Sequence, residues 1–199
     1  IRLAADIYWP ASYRKGDIFP VLLEYIPYRK DESRGRNYPL YSYFLDNNYI
    51  VARVDIRGTG NSEGKVIPNE YSDIELDDGE EVIEWLANQS WSNGNVGMFG
   101  ISWGGFNSIQ MSMRNPPALK AFVAVMATEY LYEEDVHYID GIMVAGDSWM
   151  MSNDLYNSLP GAPDFIMDEQ WYEDRFDVEP SVYKYMRQQR DGPFWDRAS

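Results

Sequence analysis

The sequence contains no cysteine, which excludes disulfides, thiolate zinc sites and cysteine nucleophiles among these residues and leaves the redox compartment open. It has one histidine, His137, so any imidazole chemistry within the chain falls to a single position. Basic residues are scarce. Seventeen Lys and Arg stand against 32 Asp and Glu, a formal net charge of −15, which argues against a grip on nucleic-acid phosphates or anionic membranes, because both depend on cationic side chains. No apolar run of about 18 residues occurs, so no segment is expected to span a bilayer. An initiator Met is also missing. The chain opens in strand-like alternation from Ile1 and reads as cut, which leaves room for a secretion signal upstream and leaves localisation open.

What is present is enough for a core. With 199 residues, 45% hydrophobic and 25% charged, the chain reads as soluble and globular, one domain or one and a half. After the opening strand, "FPVLLEYIPYRK" is a continuous apolar run, the pattern of a strand buried on both faces. "YPLYSYFLDNNY" has helical spacing, with Tyr41, Phe44 and Leu45 on one side and Asn47-Asn48 suited to a helix end. "YIVARVDIRGTGNSEG" is a second buried strand entering a glycine-rich loop. "SDIELDDGEEVIEWLANQSW" predicts an amphipathic helix with Ile83, Leu86 and Ala87 inward and its acidic residues near the start, where the helix dipole favours them. "NVGMFG" is a third strand, "FNSIQMSMRNPP" a helix stopped by Pro116 and Pro117, and "LKAFVAVMA" a further strand.

This alternation predicts an α/β fold over residues 1–128, a mostly parallel sheet with helices on both faces. Residues 129–199 change character and become rich in Met, Trp and Tyr. They show no strand run and read as a helical cap, with residues 158–166 a loop inside it. No internal repeat or low-complexity segment is present.

The chemistry centres on "GMFGISWGGF". Gly100-x-Ser102-x-Gly104, between a predicted strand and a predicted helix, has the spacing of a nucleophile elbow, a turn so tight that the central side chain is pushed out. Acyl transfer by Ser102 would need a base beside it and donors for the oxyanion, one of them the backbone N–H of Trp103. The bland alternative is close helix–strand packing around an ordinary turn serine. The strand–turn–helix setting favours the nucleophile.

Other candidates are weaker. His137 lies 35 residues beyond Ser102, yet no strand that could carry an acid of a Ser–acid–His order is visible between them beyond "LKAFVAVMA". A satisfied structural histidine, or one lining a pocket, is the preferred reading. "DIELDDGEE" fails as a calcium loop, because Asp78 stands where Gly is needed and Gly79 comes one residue late. It reads as a solvated helix start. "RGTGNSEG" matches a phosphate loop only loosely, with Glu63 at the last glycine position counted from Gly58. Met and aromatic residues of the cap are core or an apolar acyl pocket. No cofactor or metal is expected.

Together, "YIPYRK", "DIRGTGNSEG", "VIEWLANQSWSNGNVGMFGISWGGF" and "EEDVHYIDG" resemble the X-Pro dipeptidyl-peptidase and cocaine esterase (CocE/NonD) family of α/β-hydrolases over nearly the whole chain. The resemblance implies an α/β-hydrolase domain with a late helical cap and a separate C-terminal jelly roll. It implies Ser102 as nucleophile, the Trp103 N–H as one oxyanion donor and the Tyr28 phenol as the second. His137 resembles a cap position of the family rather than its catalytic base. The family's catalytic Asp and His follow the cap, so this chain is expected to be an N-terminal fragment, nearly inactive alone because Ser102 lacks its proton acceptor. The implied substrate is a small ester, an amide or a short peptide. The remainder of the parent chain is the implied partner, and oligomerisation is possible. Two competing readings stand beside it: a non-catalytic α/β module that binds a ligand or partner, and a shortened enzyme using His137 as base.

Overall fold

A computed structural model describes residues 1–33, 37–134, 137–144, 156–161 and 164–196. Its centre is a sheet of five strands: β1 (Ala5–Tyr8), β2 (Phe19–Ile26), β3 (Ile50–Asp55), β4 (Ser92–Ile101) and β5 (Leu119–Val125), in the order β1-β3-β2-β4-β5. β1 runs antiparallel to β3, and the other pairings are parallel. The helices between them are α1 (Lys30–Ser33), α2 (Tyr38–Asp46), α3 (Asp73–Ala87) and α4 (Trp103–Arg114).

Alternation along the strands sorts the core onto two faces. Val21, Leu23 and Tyr25 of β2, Ile50, Ala52 and Val54 of β3, and Val96 and Met98 of β4 join one apolar cluster with Ile83, Leu86, Phe106 and Met111 from α3 and α4. Leu22, Val51 and Phe99 point the other way, onto Tyr41, Phe44 and Leu45 of α2. The inward residues expected of α2 and α3 are therefore the ones that pack. Helices cover both faces, as the alternation of elements requires.

Strand order decides where a site can form. From β2 the chain steps to β3 on one side, then crosses to β4 on the other side of β2. A crevice opens at such a switch point beyond the carboxyl ends of the two flanking strands. Here those strands are β2 and β4, and they deliver Tyr28 and Ser102.

The described part of residues 129–199 holds strands as well as helices. Tyr138–Ile139 and Ile142–Met143 form a two-stranded antiparallel hairpin, where no strand was expected. Two-residue strands are too short to show alternation, but Asp140-Gly141, with φ of 51° and 72°, is the residue pair that a tight hairpin turn favours. Short helices follow at Glu169–Arg175, Ser181–Arg187 and Pro193–Asp196. Within the expected 158–166 loop, Ser158 closes a helical turn, Pro160 bridges to Gly60, and residues 162–163 lie outside the described ones. Leu131, Tyr138, Tyr185 and Trp195 join the same apolar cluster as the sheet.

Among the described residues β5 is a sheet edge, and its apolar side chains are open to solvent, with Val123 61% exposed and the adjoining Met126 82%. An uncovered apolar edge strand templates pairing between chains. The isolated 199-residue chain is expected to self-associate, and Val123→Lys to reduce this severalfold in light scattering at equal concentration. A wild-type chain that stays monomeric at high micromolar concentration would contradict the expectation.

Candidate active site

Ser102 is solvent-exposed at the junction of β4 and α4. Its backbone sits at φ 56°, ψ −122°, a region costing a non-glycine residue about 1–3 kcal/mol. The surroundings hold it there. Its N–H donates to Val125 O at 2.9 Å, and its carbonyl accepts the Phe106 N–H at 2.9 Å. The flanking glycines let the backbones pass. A Cβ on Gly100 would lie 2.4 Å from the carbonyl carbon of Gly104, and one on Gly104 would lie 2.9 Å from Ile26 Cγ2. The G-x-S-x-G spacing is thus a steric requirement of this bend.

β2 pairs with β4 in parallel, so the segment after β2 reaches the same end of the sheet. There the Trp103 N–H donates to the Tyr28 phenol oxygen at 3.2 Å. Burial pushes the Tyr28 phenol above its ordinary pKa, while hydrogen bonding with the Ser102 side chain and the Trp103 N–H acts in the opposite direction. The phenol therefore keeps its proton at neutral pH and has an O–H to give. The structure places Ser102, Trp103 and Tyr28 together.

Tyr28 is held by a latch that the sequence reading did not identify. Asp55, fully buried at the end of β3, accepts the Lys30 N–H at 2.7 Å and the Asn61 N–H at 3.2 Å. This ties the segment that carries Tyr28 to the glycine-rich loop. Burial pushes the Asp55 carboxyl up to about 6. Gly60, at φ 47°, has no room for a side chain, since a Cβ would meet Asp55 Oδ2 at 2.3 Å. Of the glycines of "RGTGNSEG", Gly60 serves this latch, whereas a Cβ on Gly58 would meet the Val66 backbone at 2.4 Å.

The acidic helix start departs from expectation. Asp73 and Asp77 are exposed, but Glu75 is 0% exposed and Asp78 is buried. Glu75 Oε1 accepts the Trp103 Nε1–H at 2.7 Å and the Asn107 Nδ2–H at 2.9 Å, and Oε2 accepts the Tyr71 N–H at 2.9 Å. Burial pushes its pKa up to about 7, against the pull of these hydrogen bonds. Asp78 forms an ion pair with Arg57. The signal was available: stepping back from Ile83 by four residues at a time reaches Gly79 and then Glu75 on the same inward face.

His137 is 2% exposed. Its Nε2 lies 2.6 Å from Glu70 Oε2, and its ring stacks on Tyr185 with centroids 5.1 Å apart. His137 is thus buried and hydrogen-bonded, in keeping with the preferred reading of it as a structural histidine. Glu70 also faces a cavity of 160 Å³, whose wall includes Pro27 and Trp103, the chain neighbours of Tyr28 and Ser102, along with Ile67, Phe176 and Arg175. The buried Arg175 donates to the Ser158 carbonyl at 3.1 Å and to that of Ser62. Burial lowers its pKa to about 10. Among the described residues no group of three His, Cys, Asp or Glu could hold a metal ion, and no helix is long and apolar enough to cross a membrane.

Comparison with known proteins places the chain in a family. The chain is 36% identical to a cocaine esterase from Rhodococcus sp. (strain MB1 Bresler) over 134 residues, covering 66% of this chain and 22% of the esterase. It is similar to a CocE/NonD family hydrolase from Staphylococcus aureus, with a TM-score of 0.76 and 27% identity over 98% of this chain and 35% of that one. An α-amino acid ester hydrolase shares the fold, with a TM-score of 0.70 at 22% identity over 98% of this chain and 37% of that one. The chain thus spans between a fifth and two fifths of the length of these proteins. The sheet, the elbow and the covering helices make an α/β-hydrolase fold. The family model described as "X-Pro dipeptidyl-peptidase (S15 family)" matches residues 1–199, and the chain belongs to that family.

Proposed function

We propose that this chain carries the nucleophile and the oxyanion donors of a serine hydrolase that cleaves an ester or amide bond through an acyl-enzyme on Ser102. One observation carries the reading: the Tyr28 phenol and the Trp103 N–H meet at 3.2 Å beside the exposed hydroxyl of a strained bend. In the reaction, Ser102 Oγ attacks the substrate carbonyl. The negative charge that builds on the carbonyl oxygen is received by the Trp103 N–H and the Tyr28 O–H, which exchange their mutual hydrogen bond for two aimed at the oxyanion. Collapse of the tetrahedral intermediate expels the alcohol or amine and leaves the acyl group on Ser102, and water then releases it.

The proton acceptor for Ser102 is assigned to a residue outside these 199, because the family resemblance puts the catalytic Asp and His after the cap, and the one imidazole here is buried with its Nε2 against Glu70. The isolated chain should accordingly turn over poorly. The cavity beside Pro27 and Trp103 is the proposed acyl pocket. Its apolar wall suits a small ester, amide or short peptide.

In the protein at its full natural length, Tyr28→Phe should lower kcat by about 10²–10³-fold, the usual loss for one oxyanion donor. KM should change little, because the bond strengthens only as charge develops. Steady-state kinetics with an ester substrate reads both constants. An unchanged kcat would remove Tyr28 from the mechanism.

A further inference from the structure

We infer that Glu75, buried beneath the bend, is a positioning residue that fixes both oxyanion donors from one point. The inference rests on the reading of Ser102, Trp103 and Tyr28 given above.

Glu75 binds both sides of the site. Through its carboxylate it holds the indole of Trp103, the residue that opens α4 and supplies the backbone donor. Through its own carbonyl it accepts the Tyr25 O–H at 3.0 Å, three residues before Tyr28 on the same segment. Asn107 closes the figure, donating through Nδ2 to Glu75 Oε1 at 2.9 Å and to Tyr25 O at 3.1 Å. Three elements are locked together. α3 supplies Glu75, α4 supplies Trp103 and Asn107, and β2 supplies Tyr25.

A carboxylate taken wholly out of water is costly, and an apolar side chain of similar size would pack at this depth without that cost. The carboxylate offers what an apolar group lacks: Oε1 accepts from both the Trp103 indole and the Asn107 amide and so fixes the start of α4, while Oε2 takes the Tyr71 N–H. That start decides where the Trp103 N–H points. An error of about 1 Å in such a donor costs up to about 10²-fold in rate. Glu75 acts through Trp103 and Tyr25, so its effect belongs in kcat rather than in substrate affinity.

The test uses Glu75→Gln, Trp103→Phe, the double variant and Ser102→Ala in the full-length protein, assayed with p-nitrophenyl acetate. Glu75→Gln mispairs one oxygen, and Trp103→Phe removes the indole donor while leaving the backbone N–H. Each single change should lower kcat about tenfold, with KM within about twofold for Glu75→Gln, which lies outside the cavity wall, and the kcat of the double variant should match that of the weaker single variant, because both break one linkage. If Glu75→Gln does not fold, Trp103→Phe decides by its kcat. A kcat for Trp103→Phe within about twofold of wild type, or losses that multiply in the double variant, would overturn the role of Glu75. Turnover surviving in Ser102→Ala would instead overturn the underlying assignment of the nucleophile, and Glu75's role with it.

Discussion

Ser102→Ala is expected to lower ester turnover of the full-length protein by about 10⁴-fold or more, because the covalent route disappears and only binding and oxyanion stabilisation remain. The fold should survive. Ser102 is exposed, and the bend is fixed by backbone bonds to Val125 O and from Phe106 N–H that alanine keeps. Alanine also tolerates φ 56° about as poorly as serine does, so the strain is carried over rather than added. A thermal melt unchanged within a few degrees, together with the lost turnover, would separate chemistry from stability. Retained turnover would mean that another group attacks the substrate.

Gly100→Ala is expected to destabilise the chain by more than about 4 kcal/mol, which places it among the rare severe substitutions. The added Cβ would lie 2.4, 2.6 and 2.7 Å from the carbonyl carbon, Cα and carbonyl oxygen of Gly104. All three are backbone atoms of the first turn of α4, and none can rotate away. The clash can be relieved only by moving α4 off the sheet, which takes Trp103 and Ser102 with it. Gly97→Ala is the matched comparison on the same strand. Its Cβ would meet Leu22 Cδ2 at 2.9 Å, the end of a flexible side chain, and the cost should stay near about 1 kcal/mol. Urea midpoints of the two variants should differ widely. Equal midpoints would show that α4 does not sit against Gly100 as described.

The sequence made local features legible and left non-local ones hidden. The bend was readable because Gly100, Ser102 and Gly104 serve one steric purpose within five residues. α2 and α3 were readable from the 3.6-residue recurrence of Tyr41, Phe44 and Leu45 and of Ile83 and Leu86. Strand order was not readable, since nothing within β3 states that it lies between β1 and β2. The acidic start of α3 was misread for a related reason. Acidic side chains in a first turn are ordinarily solvated, and the burial of Glu75 depends on the Trp103 indole and the Asn107 amide, both about 30 residues away. Asp55 was passed over because its two donors are backbone N–H groups, which leave no trace in residue identity. The 138–143 hairpin was lost to its brevity, although Asp140-Gly141 marked its turn. Tyr28 could be singled out only through the family resemblance, since one tyrosine among 16 at a strand end carries no signal of its own.

Mass spectrometry of the full-length protein after reaction with a fluorophosphonate ester tests the nucleophile assignment most directly. A single phosphonyl adduct on the peptide containing Ser102, absent from Ser102→Ala, is the predicted result. Labelling that persists in that variant, or that maps to a different residue, would contradict it.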